Sequence, residues 1–198
     1  MLVSEHLVTM TSSTGPNPIL GSRFIVLVGI TAVLFFLSLV PTEAIPEIPV
    51  DIDFKPYFIP FTLVALLPVG RPTLAVALGV ALGEGLRDLM EGYEIDDPIG
   101  FFGYLFGFVA AGYVMGARPL SPIVIVIGSI VGAAIQGFIE ASAFLIFGEE
   151  SLPVALATAT GNTITHGVVM GAIPAVFLVR SLHAPEPLAI NPVLDRRP

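Results

Sequence analysis

The sequence has 198 residues, of which 55% are hydrophobic and only 12% are charged, with a mean hydropathy of +0.91. An ordinary soluble domain carries about 25% charged residues, so this composition excludes one. The formal net charge of -8 argues against nucleic acid as a partner, and the absence of cysteine excludes disulfides, thiolate catalysis and cysteine metal sites.

Apolar runs long enough to cross a bilayer recur along the chain. A membrane-spanning helix needs about 20 mostly apolar residues, within a range of about 17–25. The predicted spans are residues 24–40, 57–69, 72–90, 99–117, 122–147 and 152–179, of which the second is the shortest. We therefore expect an all-α, polytopic membrane protein with six transmembrane helices in one bundle over residues 23–182. A flexible cytoplasmic tail is expected at residues 1–22 and a cytoplasmic tail at residues 183–198.

The charges between the predicted spans alternate in sign. Arg71 and Arg118 lie in two of the connections, and Arg23 and Arg180 flank the first and last spans. The other three connections are acidic, and the first of them also contains Lys55. Because Lys and Arg are retained on the cytoplasmic side, this alternation predicts a multi-pass protein of the cell membrane with both termini in the cytoplasm.

Glycines recur four positions apart in several of the predicted spans. The pairs are Gly79 and Gly83, Gly103 and Gly107, Gly112 and Gly116, Gly128 and Gly132, and Gly167 and Gly171. This spacing places both glycines on one helix face, where another backbone can approach closely. We expect these faces to pack inside the bundle, the alternative being contact with a partner membrane protein.

Polar side chains inside the spans also come in pairs four residues apart, so that each pair lies on one face of its helix. Such groups cost about 2.5–3.5 kcal/mol each on insertion scales, which makes them functional candidates. The pairs are Glu84 and Asp88, Gln136 and Glu140, and Asn162 and His166. In the expected topology their depths overlap in the outer half of the membrane. The pattern therefore predicts a substrate-binding pocket open to the outside.

The predicted pocket has more acidic than basic groups. Three carboxylates stand against Arg87, the one basic residue within the spans, and this excess favours a positively charged ligand, a proton or a metal. Aromatic contacts with a ligand are expected from Tyr57, Tyr93, Phe102 and Tyr104. The alternative for Gln136 and Asn162 is a hydrogen bond between helices, and for His166 a place in the core.

No motif in the sequence favours catalysis by this chain. There is no HExxH, no P-loop and no recognisable nucleophile with its base, and a single histidine in the bundle is a poor zinc site. We therefore expect no catalytic residue, no resident metal and no cofactor.

Three stretches resemble the substrate-binding subunit (S component) of an energy-coupling factor (ECF) transporter. They are LVALLPVGRPTLAVALGVALGEGLRDLMEG at 63–92, DDPIGFFGYLFGFVAAGYVMG at 96–116 and GNTITHGVVMGAIPAVFLV at 161–179. Together with the size, the six predicted spans and the inward termini, the resemblance covers residues 22–182.

The resemblance implies a membrane subunit that captures a micronutrient, such as a vitamin or related small solute, from outside. Its partners would be a transmembrane coupling subunit and two ATPase subunits, which alone would hydrolyse ATP. The connection at 42–56 would cover the pocket. The alanine pattern that docks the first helix in this family is absent, and Gly29 and Ala32 are its nearest substitute.

Two other classes of protein remain open from the sequence. Rod-shape-determining membrane proteins resemble the same six-helix bundle but act as scaffolds, and an empty, apolar pocket would favour them. The second class is an intramembrane metal-dependent enzyme or an ion-coupled carrier. A carrier would be expected to show an inverted repeat, and the sequence has no convincing one.

Overall fold

The computed structural model describes residues 18–44, 52–93 and 97–183. The helices in chain order are α1 (Pro18–Leu39), a 3₁₀ turn (Val40–Ala44), α2 (Phe58–Leu66), α3 (Arg71–Glu91), α4 (Asp97–Gly116), α5 (Pro122–Phe147), α6 (Leu152–Ile164), a π-helical segment (Thr165–Ala172) and α7 (Ile173–Leu182). The last three run on as one helix, Leu152–Leu182. The described chain is therefore all-α, with one helical unit for each of the six predicted spans.

Four of the described helices are long and apolar enough to cross a membrane. They are Gly21–Thr42, Asp97–Gly116, Pro122–Phe147 and Leu152–Leu182. α2 is too short, because its 9 residues rise by only about 13 Å against a hydrocarbon core of about 30 Å. α3 has 21 residues but carries five charged ones. By these measures the six predicted spans reduce to four, and the protein is a multi-pass membrane protein.

α3 is packed within the bundle despite its charges. It contacts both α1 and α4, while α5 contacts α4 and the long last helix. A Cβ on Gly116 would meet Val69, and a Cβ on Gly112 would meet Thr73, so the end of α4 lies beside the start of α3. α3 and α4 are therefore antiparallel. As a result, the C-terminal end of α3, which carries Glu91, lies beside the N-terminal end of α4, which carries Asp97. Both are at the opposite end of the bundle.

The glycine pairs mark close contacts between helices, as the sequence predicted. A Cβ on Gly107 of α4 would lie 2.6 Å from the carbonyl oxygen of Gly132 in α5. A Cβ on Gly83 of α3 would lie 2.7 Å from the carbonyl oxygen of Ala32 in α1. Both distances are shorter than any side chain tolerates against a rigid backbone. These glycines therefore pack helices of the same chain together.

An aromatic cluster fills the core where α2 meets α4. The ring of Phe108 lies 5.1 Å from that of Tyr57 and 5.0 Å from that of Phe61, measured between centroids. Phe35 of α1 and Tyr104 of α4 extend the cluster. These rings are buried and form the core of the bundle in this region.

The predicted ends of the bundle fall partly outside the described residues. α1 begins at Pro18, within the tail expected at 1–22, and proline suits the first turn of a helix because its missing N–H has no partner there. Residues 1–17 and 184–198, which hold the rest of both predicted tails, lie outside the described residues.

Candidate functional site

A cavity of about 580 Å³ lies between α3 and α4 and is completed by α5, α6 and the residues before α2. This volume is within the usual range of small-molecule sites, about 300–1,000 Å³. Six acidic and two basic side chains line it: Asp53, Lys55, Glu84, Arg87, Asp88, Glu91, Asp97 and Glu140. The cavity is therefore strongly acidic, as the sequence predicted for a pocket in this region.

Lys55 lies at the centre of the acidic groups. Its Nζ is 2.9 Å from Oε1 of Glu84 and 3.1 Å from Oδ2 of Asp53. The same ammonium donates a hydrogen bond of 2.7 Å to the hydroxyl oxygen of Tyr104. Oε1 of Glu140 is farther away, at 4.0 Å. One hydrogen bond and two close ion pairs therefore hold this ammonium within the chain.

Asp53 is held by the last helix as well as by Lys55. Its backbone N–H donates to Oδ1 of Asn162 at 3.2 Å, and its Oδ1 lies 2.5 Å from Nε2 of His166. Asn162 and His166 thus lie on one helix face, as their spacing predicted. That face binds a residue of the same chain, however, and it fixes the path of the segment that leads into α2.

His166 and Tyr57 belong to the core rather than to the cavity wall. Both are 0% exposed, and their ring centroids are 4.6 Å apart. Neither side chain lines the cavity, and their predicted contact with a ligand stays a prediction. His166 contacts Asp53 and Tyr57 packs against His166, so both support a residue that lines the cavity.

Of the two polar residues predicted on α5, only one lines the cavity. Glu140 lines the cavity, whereas Gln136 is 0% exposed. Nε2 of Gln136 donates a hydrogen bond of 2.9 Å to Oε2 of Glu140. Gln136 therefore orients the carboxylate of Glu140 and does not itself reach the cavity.

The second basic group, Arg87, is also paired with acidic groups of α3. Its Nε donates to Oε1 of Glu91 at 2.7 Å, and its Nη1 lies 3.6 Å from Oε1 of Glu84. Asp88, half-buried on the same helix, lines the cavity as predicted. Both cations of the described lining are therefore engaged by carboxylates of the chain.

The aromatic residues predicted to contact a ligand occupy different depths. Tyr93 and Phe102 line the cavity and are 58% and 51% exposed, so they form its rim. Tyr104 lines the floor and is buried, with its hydroxyl bound to Lys55. An apolar or aromatic part of a ligand could therefore contact the rim while its charged part reaches the floor.

The charges around Asp53 and Lys55 shift the pKa of each group so that its charged form is favoured. Burial alone would raise the pKa of the Asp53 carboxyl, but Lys55 and His166 outweigh burial and hold that pKa well below its usual range. Burial alone would lower the pKa of Lys55, but Asp53 and Glu84 outweigh it, so the pKa is raised well above its usual range. Both groups are therefore charged at neutral pH.

Sequence reasoning missed Asp53 and Lys55 as parts of the site, because they lie outside the predicted spans. It also treated Arg87 as the one basic residue among the pocket carboxylates, and Lys55 corrects that. One signal was present: Lys55 is the single lysine of the chain, next to Asp53 in an otherwise acidic connection. Of the cover predicted at 42–56, residues 45–51 lie outside the described chain, and 52–56 lead into the bundle.

The docking residues predicted on α1 point in different directions. Gly29 is exposed, and a Cβ there would meet nothing within 4 Å. Ala32 is 6% exposed and packs against Gly83 of α3, so it is covered by the bundle. Docking of a partner at these residues stays a prediction.

The described residues do not assemble a metal centre. Within 18–44, 52–93 and 97–183, no group of three or more His, Cys, Asp or Glu side chains is arranged to hold a metal ion. The carboxylates of the cavity are instead paired with Lys55 and Arg87.

No family model, no curated protein and no solved structure matches this chain.

Proposed function

We propose that this protein is the substrate-capture subunit of an ATP-driven uptake transporter for a small cationic or amine-bearing solute. The observation that carries the proposal is the acidic cavity of about 580 Å³ within a multi-pass membrane protein. The resemblance of three stretches to substrate-binding subunits of energy-coupling factor transporters supports the same function. The charged lining also counts against the scaffold alternative, which an apolar, empty pocket would favour.

The proposed direction of capture depends on the topology. The cavity is lined by the last turns of α3 and the first residues of α4, near Glu91 and Asp97. Arg71 and Arg118 belong to the opposite end of these helices. If basic residues are retained in the cytoplasm, the cavity opens outside and both termini are cytoplasmic.

The proposed partners are a transmembrane coupling subunit and two ATPase subunits. The sequence has no P-loop, so ATP hydrolysis would belong to other chains. The exposed side of α1 is apolar around Gly29, with Ile25, Ile30 and Val33 all more than half exposed. A bulky Gly29→Leu substitution should weaken co-purification with a coupling subunit without unfolding this chain.

The experiment that tests the proposal identifies the solute. The protein is purified in mild detergent, and the small molecules that it retains are released and identified by mass spectrometry. Glu140→Gln should retain less of that solute, because a buried charge partner is worth about 2–5 kcal/mol of binding. Glu149→Gln, an exposed change beyond the end of the same helix, is the control. Retention of no small molecule, or equal retention by both variants, would contradict the proposal.

A further inference from the structure

The carboxylates that would bind a cationic solute already bind an ammonium of the chain itself. Nζ of Lys55 forms ion pairs with Glu84 and Asp53 at 2.9 and 3.1 Å, and it donates a hydrogen bond of 2.7 Å to Tyr104. Its side chain is 10% exposed and lines the cavity. A solute ammonium that approached these oxygens would therefore compete with Lys55 for the same acceptors.

Glu84 has more acceptor capacity than Lys55 uses. The residue is 4% exposed and lines the cavity. Its Oε2 is buried and has no hydrogen-bond partner among the described residues. A buried carboxylate oxygen without a donor is unfavourable, so the site favours a ligand that brings additional N–H donors.

The basic groups, in contrast, offer little to an anionic ligand. Lys55 is engaged by Glu84, Asp53 and Tyr104. Arg87 is paired with Glu91 and lies near Glu84. An anion would have to approach six carboxylates to reach these two cations. The charge of the lining therefore disfavours it.

We propose that Lys55 occupies the ammonium position of the cavity and is displaced from Glu84 when an amine-bearing or otherwise cationic solute binds there. The inference rests on the proposed function, since it treats the cavity as the binding site of the solute. The movement is confined to the lysine side chain. Asp53 keeps its hydrogen bond to Asn162 and its contact with His166, and the backbone N–H of Tyr57 still donates to the carbonyl of Lys55.

The first experiment uses the single lysine as a reporter. The full chain is produced with lysine labelled at Cε with an NMR-active carbon isotope, so that one side-chain signal reports Lys55. Three probes of similar shape and different charge are added: benzylammonium, benzoate and benzyl alcohol. Benzylammonium should move the signal to that of a solvent-exposed lysine, while the other two should leave it unchanged. A lysine signal that benzoate moves and benzylammonium does not would overturn the proposal.

The second experiment removes the competitor. Lys55→Met should bind benzylammonium about tenfold more tightly or better, because the solute no longer displaces an internal ion pair. The control is Arg71→Met, which removes an exposed positive charge at the other end of α3 and should leave the affinity unchanged. Weaker binding of benzylammonium to folded Lys55→Met would overturn the proposal. If Lys55→Met does not fold, the labelled wild-type chain still gives the decisive result.

The capture function and the displacement of Lys55 can be disproved separately. If the purified protein retains a natural solute but Lys55 stays bound to Glu84 when that cavity is occupied, the capture function stands and the displacement is wrong. If benzylammonium displaces Lys55 but the protein retains no solute, the displacement stands and the transport function is wrong.

Discussion

Nζ of Lys55 lies 2.9 Å from Oε1 of Glu84 and joins the segment before α2 to the middle of α3. Both side chains are almost completely buried, at 10% and 6% exposed. Removing one partner of a buried ion pair leaves an uncompensated charge, which costs far more than the loss of a surface pair. The pair therefore affects both the stability of the bundle and the chemistry of its cavity.

Glu84→Gln should lower the free energy of unfolding by about 1–3 kcal/mol, the cost of leaving a buried polar group poorly satisfied. The loss is limited because Lys55 keeps its ion pair with Asp53 and its hydrogen bond to Tyr104. Glu91→Gln on the same helix is the control, since Glu91 is 47% exposed and pairs with Arg87 at the surface. Thermal unfolding in detergent measures both variants. An equal loss of stability in the two would show that the Lys55 pair contributes nothing special.

The pH dependence of stability should reflect Asp53 and Lys55. The lowered pKa of Asp53 means that its contribution is complete above the ordinary aspartate pKa of about 4 and is lost as the pH falls through the folded value. The raised pKa of Lys55 means that its contribution is complete below about pH 10 and is lost as the pH rises through the folded value.

Asp53→Asn isolates the acidic half of this behaviour. We expect the variant to be less stable than the wild type by a constant amount between about pH 5 and 9. Below about pH 4 the difference should narrow, because the Asp53 carboxyl of the unfolded wild type then takes up a proton that the folded protein, with its lowered pKa, does not yet bind. Unfolding followed by circular dichroism across this range measures the difference. A gap that widens on acidification would contradict the assigned direction of the pKa.

The polar pairs show how far helical spacing can predict a site. The i, i+4 spacing correctly placed Gln136 next to Glu140, to which it donates a hydrogen bond. It also correctly placed Glu84 and Asp88 on one helix face, and both line the same cavity. Spacing gives the face of a helix but not what lies opposite it. It could not reveal that Lys55, far away along the chain, lies against Glu84. Whether these residues bind a solute stays a prediction.

Asn162 and His166 illustrate the same limit of helical spacing. Their shared face was predicted, but the face holds Asp53, a residue of the connection before α2. Contacts between a connection and a helix depend on the tertiary path of the chain. Helical periodicity in a single sequence does not predict that path. The membrane character was easier to predict, because apolar length and composition are local properties.

The topology can be tested with two single cysteines, since the chain has none of its own. Arg118 lies just after α4 and Glu149 just after α5, so they belong to opposite ends of antiparallel helices. In intact cells an impermeant thiol reagent should label Glu149→Cys and should label Arg118→Cys only after the membrane is permeabilised. Labelling of Arg118→Cys in intact cells would reverse the proposed orientation.

The contact between α4 and α5 should be sensitive to a single methyl group. In Gly107→Ala the new Cβ would lie 2.6 Å from the carbonyl oxygen of Gly132. Because the obstructing atom belongs to a helix backbone, the helices must move apart, and overpacking of this kind typically costs about 1–3 kcal/mol. We expect a lower midpoint of thermal unfolding in detergent than that of the wild type.

Gly100→Ala on the same helix provides the control for that change. A Cβ on Gly100 meets nothing within 4 Å, while the gain in helix propensity from glycine to alanine is the same at both positions, about 1 kcal/mol. Gly100→Ala should therefore be as stable as the wild type or slightly more stable. The difference between the two variants then measures the helix contact alone. If Gly107→Ala proves as stable as Gly100→Ala, α4 and α5 are not packed as closely as Gly107 and Gly132 indicate.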